Sequence, residues 1–136
     1  MIVIDASATV ALLLNEDRAF EGGERLSVLV DEPMTAPSHW PAEVGNALVT
    51  NLRRGRLNLD QLGEMADQLA RLEIRIDPPP TIAEMAEIAR RAVKWKLTYY
   101  DAAYLQAAQF NDASLFTFDA QMRAIAAQLD IPLLPA

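Results

Sequence analysis

Met1–Ile4 is a short β-branched apolar run that stops at Asp5-Ala6-Ser7, residues able to cap a helix over Ala8–Leu14. Apolar positions at Phe20, Leu26, Leu29 and Val30 predict a second helix, weakened in its first turns by Gly22-Gly23. Met34–Pro37 has poor strand propensity. Ser38-His39-Trp40-Pro41 then supplies a cap and a proline near the first turn of a long helix that runs to about Arg53. After Gly55, the spacing of Leu57, Leu62, Met65, Ala66, Leu69 and Leu72 predicts an amphipathic helix from about Leu59. Glu73–Ile76 reads as a strand. Asp77-Pro78-Pro79-Pro80 reads as a stiff connector, because proline lacks an amide donor and restricts the residue before it. Ile82, Met85, Ala86, Ala89 and Val93 mark another helix by their spacing, and Thr98–Asp101 has the capping-box layout that starts the next. Leu115–Phe118 reads as a buried strand, Asp119 as the cap of a helix containing Met122, Ile125, Ala126 and Leu129, and Ile131–Leu134 as a last short strand.

Strands separated by helices imply a parallel sheet with helices on both faces and right-handed crossovers, a three-layer α/β/α domain. With 136 residues, 51% of them hydrophobic and 23% charged, the chain is expected to be a single domain over residues 1–136, which excludes a two-domain enzyme. The absence of cysteine excludes disulfides, thiolate metal sites and a cysteine nucleophile, and fits the cytoplasm. Ile2–Leu14 is interrupted by Asp5 and lacks a basic flank, so neither a secretory signal nor a membrane span is expected. A net charge of -7 excludes broad nucleic-acid binding by a basic surface. Any such contact must be local, at the clusters Arg53, Arg54, Arg56 or Arg90, Arg91, Lys94, Lys96, which also suit helix C-termini and solvated faces.

In parallel sheets, ligands bind outside the carboxyl ends of the strands. Four acids fall at that edge: Asp5 after the first strand, Glu43 early in a helix, Asp101 in the first turn of another, and Asp119 after Leu115–Phe118. Each also has a local role, as an N-cap, the acid of a capping box, or an acid favoured by a helix dipole. Together in one cleft they would repel and raise one another's pKa unless a cation lay between them. Oxygen donors with no cysteine and one histidine suit Mg²⁺ or Mn²⁺ and disfavour Zn²⁺. A pair of such ions roughly 3.5–4 Å apart can activate water and stabilise the leaving oxygen of a phosphodiester. Asn46, three residues after Glu43, can share its face and hydrogen-bond Glu43 or a coordinated water, or make a helix–helix contact. His39, Trp40, Tyr99, Tyr100 and Tyr104 could meet bases, but packing or capping is the expected role of His39, Trp40, Tyr100 and Tyr104. Asp77 ends a strand as the site acids do, and is the leading decoy.

Val3–Ala8, Glu43 with Asn46-Ala47-Leu48, Tyr100–Leu105, and Leu115–Asp119 resemble, in order and spacing, the PIN-domain nucleases, and among them the VapC-type toxins of bacterial toxin–antitoxin pairs. The resemblance spans nearly the whole chain and is specific as a set. It implies a five-stranded parallel sheet and hydrolysis of RNA by metal-activated water, with Asp5, Glu43, Asp101 and Asp119 as the acids that hold Mg²⁺ or Mn²⁺. It implies Ser7 and Thr117 as small hydroxyls orienting carboxylates or bound water. It also implies homodimers and a cognate antitoxin whose tail, often basic, blocks the site. No ligand is implied at Asp77. The sequence departs from the common pattern at Phe118, where a smaller residue is usual and the cleft could be narrowed, and at Gln106, where an apolar residue often stands.

Three other functions compete. A receiver-type phosphoacceptor domain would use Asp77, but needs paired acids after the first strand and a late lysine; Asp5 stands alone and no lysine follows Lys96. A phosphatase of the haloacid-dehalogenase sort needs a second aspartate where Ser7 stands. A catalytically silent PIN-like module that only binds partners is opposed by the intact acids and separable by divalent-metal binding.

Overall fold

The computed structural model describes residues 1–14 and 31–136. The helix predicted around Phe20–Val30 lies outside the described residues. The elements are β1 (Ile2–Ile4), α1 (Ala6–Leu13), β2 (Met34–Ala36), α2 (Trp40–Arg53), α3 (Leu59–Arg71), β3 (Arg75–Ile76), α4 (Ile82–Trp95), α5 (Tyr99–Phe110), β4 (Ser114–Phe116), α6 (Ala120–Gln128) and β5 (Leu133–Leu134). They form the three-layer α/β/α arrangement, with a five-stranded parallel sheet in the order β3-β2-β1-β4-β5.

The apolar run at the start of the chain takes the centre of the sheet, where Ile2, Val3 and Ile4 are fully buried. From β1 the chain builds outward to β2 and β3, then crosses back over β1 to add β4 and β5 on the other side. The reversal lies between β1 and β4, whose register pairs Ile4 with Phe116 and brings Asp5 and Thr117 to one edge.

Met34-Thr35-Ala36 forms a fully buried strand despite its poor propensity. Pairing on both sides, with the Thr35 hydroxyl donating to the Arg75 carbonyl at 3.0 Å, supplies what the side chains lack. Only Arg75–Ile76 of the predicted strand Glu73–Ile76 pairs, because Glu73 takes a left-handed φ of 49° where α3 ends.

The helices start where polar caps stand. Asn58 and Gln61 form a reciprocal capping box on α3 (2.9 and 2.8 Å), and Thr81 and Glu84 do the same on α4. The start of α2 differs from expectation: His39 holds the cap position without a side-chain cap bond, and Pro41 in the first turn does the pre-organising. Helix α4 forms as predicted but buries another face. Ile88 and Ala92 pack against Ala102 and Ala103 of α5, while Ile82 and Val93 are 79% and 81% exposed.

One cross-link fixes the approach of α2 to the sheet edge. The Trp40 indole donates to the Thr9 hydroxyl at 3.0 Å, and that hydroxyl donates to the Asp5 carbonyl at 2.7 Å. Glu43, one turn beyond Trp40, is thereby carried to the side of the sheet where β1 ends. Among the described residues no helix is long and apolar enough to cross a membrane.

Candidate carboxylate site

Asp5 leaves β1 and caps α1: its Oδ1 accepts from the Ala8 amide and the Ser7 hydroxyl, both at 2.8 Å. Its Oδ2 accepts a short hydrogen bond from the Thr117 hydroxyl. The side chain is buried, with 4% of the residue exposed. Burial raises its pKa to about 6; the bonds from Thr117, Ala8 and Ser7 work the other way, and the Asp101 charge adds to the rise.

Ser7 and Thr117 tie this carboxylate to β4. The Phe118 amide donates to the Ser7 hydroxyl at 3.2 Å, and the Asp119 amide donates to the Thr117 hydroxyl at 3.0 Å. Phe118 itself packs edge-on against Phe116, with ring centroids 5.8 Å apart. Asp119 then caps α6, its Oδ1 accepting from the Met122 amide at 2.8 Å.

Asp101 is the third residue of α5. The Thr98 hydroxyl accepts its amide at 3.1 Å, but the reciprocal bond of a capping box, from the Thr98 amide to the Asp101 carboxylate, is not made. The Thr98 hydroxyl is the one side-chain donor of the described residues close enough to favour the charged carboxylate. Burial and the neighbouring Asp119 charge raise its pKa, with Glu43 adding to the rise and Thr98 and His39 opposing it.

Glu43 receives the Tyr104 phenol at 2.7 Å on Oε1. His39 Nε2 lies 3.2 Å from the same oxygen, close enough for a charge contact but off the line of a straight hydrogen bond. Burial works to raise the Glu43 pKa, yet the His39 and Tyr104 contacts outweigh it and the net shift is downward. Burial and the Glu43 carboxylate push the Tyr104 phenol far up, so it stays a neutral donor. The His39 ring packs on Tyr104 and Tyr100 at centroid distances of 4.9 and 5.2 Å.

The four acids therefore form one electrostatic neighbourhood centred on Asp101, which feels Asp5, Asp119 and Glu43. Among the described residues no lysine or arginine makes an ion pair with any of them. Nor do three acid or histidine side chains of the described residues lie close enough together to hold an ion as they stand. Unrelieved negative charge and oxygen donors suit a hard divalent cation, and the Asp5 Oδ2, with a single donor, retains a lone pair for one.

Two other candidates fall elsewhere. Asn46 is exposed and makes no bond to Glu43; its carbonyl accepts from the Thr50 hydroxyl at 3.1 Å. Asp77 is engaged by the Thr35 hydroxyl at 3.3 Å and by Arg75 at 3.5 Å. Tyr104, expected to pack or to meet a base, instead donates to Glu43. Its spacing of three from Asp101, which puts both on one face of α5, was the available signal.

The PIN-domain family model matches residues 2–128, and the chain belongs to the PIN-domain family. Within that class it is similar to two proteins of Pyrobaculum aerophilum. It is 31% identical to Ribonuclease VapC3 over 121 residues, 89% of this chain and 91% of that protein. It is likewise 31% identical to Exonuclease VapC9 over 124 residues, 90% of this chain and 83% of that protein. Among solved structures, PAE2754 from Pyrobaculum aerophilum superposes with a TM-score of 0.62 at 28% identity, covering 90% of this chain and 84% of that one. The sarcin-ricin-loop-cleaving toxin VapC20 of Mycobacterium tuberculosis, at 18% identity, shares the fold with a TM-score of 0.66 over 92% of this chain and 95% of its own.

Proposed function

We propose that the protein is a divalent-metal-dependent endoribonuclease and the toxin of a type II toxin–antitoxin pair, acting in the cytoplasm as a single-domain chain over residues 1–136. The observation that carries this is the set of four carboxylates around Asp101, with no lysine or arginine of the described residues paired to any of them. The names of its relatives, a ribonuclease and an exonuclease, support phosphodiester hydrolysis. Asp5, Glu43, Asp101 and Asp119 would hold Mg²⁺ or Mn²⁺. Such an ion, when bound, makes water nucleophilic near neutral pH and offsets charge that builds on the phosphoryl oxygens.

The chain's own residues prepare that site. Ser7, Thr117 and the Ala8 amide fix the Asp5 carboxylate in one orientation, and Tyr104 with His39 keeps Glu43 ionised. Asp101 meets only the Thr98 hydroxyl and makes no ion pair among the described residues, so it keeps oxygen lone pairs available. Asn46 belongs to the proposed supporting set only if substrate draws it in. An RNA strand is the substrate, a cognate antitoxin with a basic tail is the natural inhibitor of so acidic a site, and a homodimer is the assembly the family implies.

The alternative is a catalytically silent PIN-like module, which the intact set Asp5, Glu43, Asp101 and Asp119 opposes. Cleavage of a mixed RNA pool separates the two. The wild type is expected to cut internally with Mg²⁺ or Mn²⁺ and not with EDTA, and Asp101→Asn, purified identically, to lose at least about a hundredfold in rate. Trimming from RNA ends alone would replace the endonuclease with an exonuclease. Cutting that survives in Asp101→Asn or EDTA would be a contaminant and would leave the silent module.

A further inference from the structure

Two basic clusters are available to a polyanion, and the structure separates them. Arg53 lines a groove with Leu52, Leu57, Leu59 and Asp60, one cation against one acid and no aromatic ring among the described residues. Arg90, Arg91 and Lys94 line another with Glu87, Trp95 and Gln109, where α4 meets the C-terminal end of α5. There three cations face one acid, in a chain whose net charge is -7.

Arg91 is fixed in this groove. Its side chain is only 28% exposed; Nε donates to Glu87 at 3.3 Å and Nη1 to Gln109 at 2.9 Å. The guanidinium lies 5.9 Å from the Trp95 ring centroid and 5.7 Å from that of Phe110, and its Nη2 has no partner among the described residues. A guanidinium already held by stacking loses little freedom when it takes a phosphate oxygen. Arg90 shares the same Glu87 at 3.3 Å, and Lys94 makes no ion pair among the described residues, so the surplus of charge is positive.

Cations near the end of α4 also complement its dipole, but that role calls for no aromatic rings beside them. Phe110 is 69% exposed and Trp95 half-buried, so both rings leave surface to solvent. Cations interleaved with exposed aromatic surface suit a single-stranded nucleic acid, whose phosphates need the charge and whose bases stack on rings whatever their sequence. Phe110 also joins the groove to the carboxylates. It lines a cavity of about 160 Å³ whose wall includes His39, and His39 Nε2 lies 3.2 Å from Glu43. Gln109 stands about 12 Å along the α5 axis from Asp101, at 1.5 Å per residue.

We propose that this groove binds the backbone of single-stranded RNA on Arg90, Arg91 and Lys94, and so holds the strand whose scissile phosphate reaches the four carboxylates. The proposal rests on the nuclease reading for its context, but binding is measured without cutting. Hexauridylate is titrated into the ¹⁵N-labelled protein in EDTA, and is expected to shift the backbone of residues 90–94 and Phe110 and the indole of Trp95. Between about 50 and about 200 mM salt, the logarithm of its affinity should fall against that of salt with a slope of about -2, as for three single-strand phosphate contacts.

Arg90→Ala combined with Lys94→Ala is expected to bind at least about tenfold more weakly and to flatten the slope to about -0.7, while Arg53→Ala binds as the wild type does. The proposal is overturned by shifts confined to other surfaces, by equal binding to the double variant, or by no binding. Hexaglutamate bound as tightly as hexauridylate would also overturn it, and would assign the groove to an acidic protein segment. Cleavage by the same proteins keeps the two readings apart. If the nuclease reading fails, the wild type does not cut, yet hexauridylate still maps to the groove. If the groove fails, the wild type cuts and the double variant cuts equally well.

Discussion

Asp5 accepts three hydrogen bonds and still titrates near 6, because burial disfavours its charge by more than those bonds favour it. In the unfolded chain the group titrates at 3.8, so the folded protein holds this proton more tightly. The stability it contributes is complete below about pH 3.8 and is lost as pH rises through about 6. At about 1.4 kcal/mol per pH unit, the loss is about 3 kcal/mol. Asp101, also raised, acts in the same sense. Glu43, lowered, acts in the opposite one, its contribution being present above 4.5 and lost as pH falls through its folded value. Urea midpoints of metal-free protein should therefore show a fall in stability between about pH 4 and about pH 6 that is largely absent in Asp5→Asn. An equal slope in the two proteins would mean that burial of Asp5 is not its source. Tyr104 belongs to the same scale: a buried phenol at 2.7 Å from Glu43 is a charge-assisted bond, of the kind that holds a carboxylate in one place.

At the scale of elements, α4 shows where periodicity is informative and where it is silent. The spacing of Ile82, Met85, Ala89 and Val93 identifies a helix, but the helix turns Ile88 and Ala92 to α5 and leaves Ile82 and Val93 outside. Two apolar faces compete on one helix, and only the shape of the surface α5 presents decides between them. Val93→Lys should accordingly change stability by no more than about 0.5 kcal/mol, and Ile88→Ala should cost about 2–5 kcal/mol, both read from chemical denaturation. The reverse ranking would mean that α4 is rotated from the orientation described. Strand β2 fails from sequence for a related reason. In Met34-Thr35-Ala36 only Thr35 favours a strand, and the place between β1 and β3 imposes one. The caps at Asp5, Thr98 and Asp119 were legible because each acts on an amide only three residues away. The cap bond expected before Pro41 does not form, since His39 faces Glu43 and the tyrosines instead.

At the scale of the whole molecule, the four acids come from four separate stretches of chain and meet because the sheet reverses direction between β1 and β4. Their assembly at one edge could be read from the alternation of strands and helices, since parallel strands end on the same side. The pairing of Glu43 with Tyr104 and the exclusion of Asn46 could not, because both depend on how far α2 is rotated, and the Trp40–Thr9 bond that sets this joins residues 31 apart in sequence. The central claim is that these carboxylates converge on a divalent cation, although no three of them, among the described residues, already form a clasp. Mn²⁺ titrated into ¹⁵N-labelled protein tests it most directly, because the ion broadens resonances near it. The account predicts broadening confined to residues around Asp5, Glu43, Asp101 and Asp119, abolished in Asp101→Asn. Broadening spread over the acidic surface, or unchanged by Asp101→Asn, would contradict it.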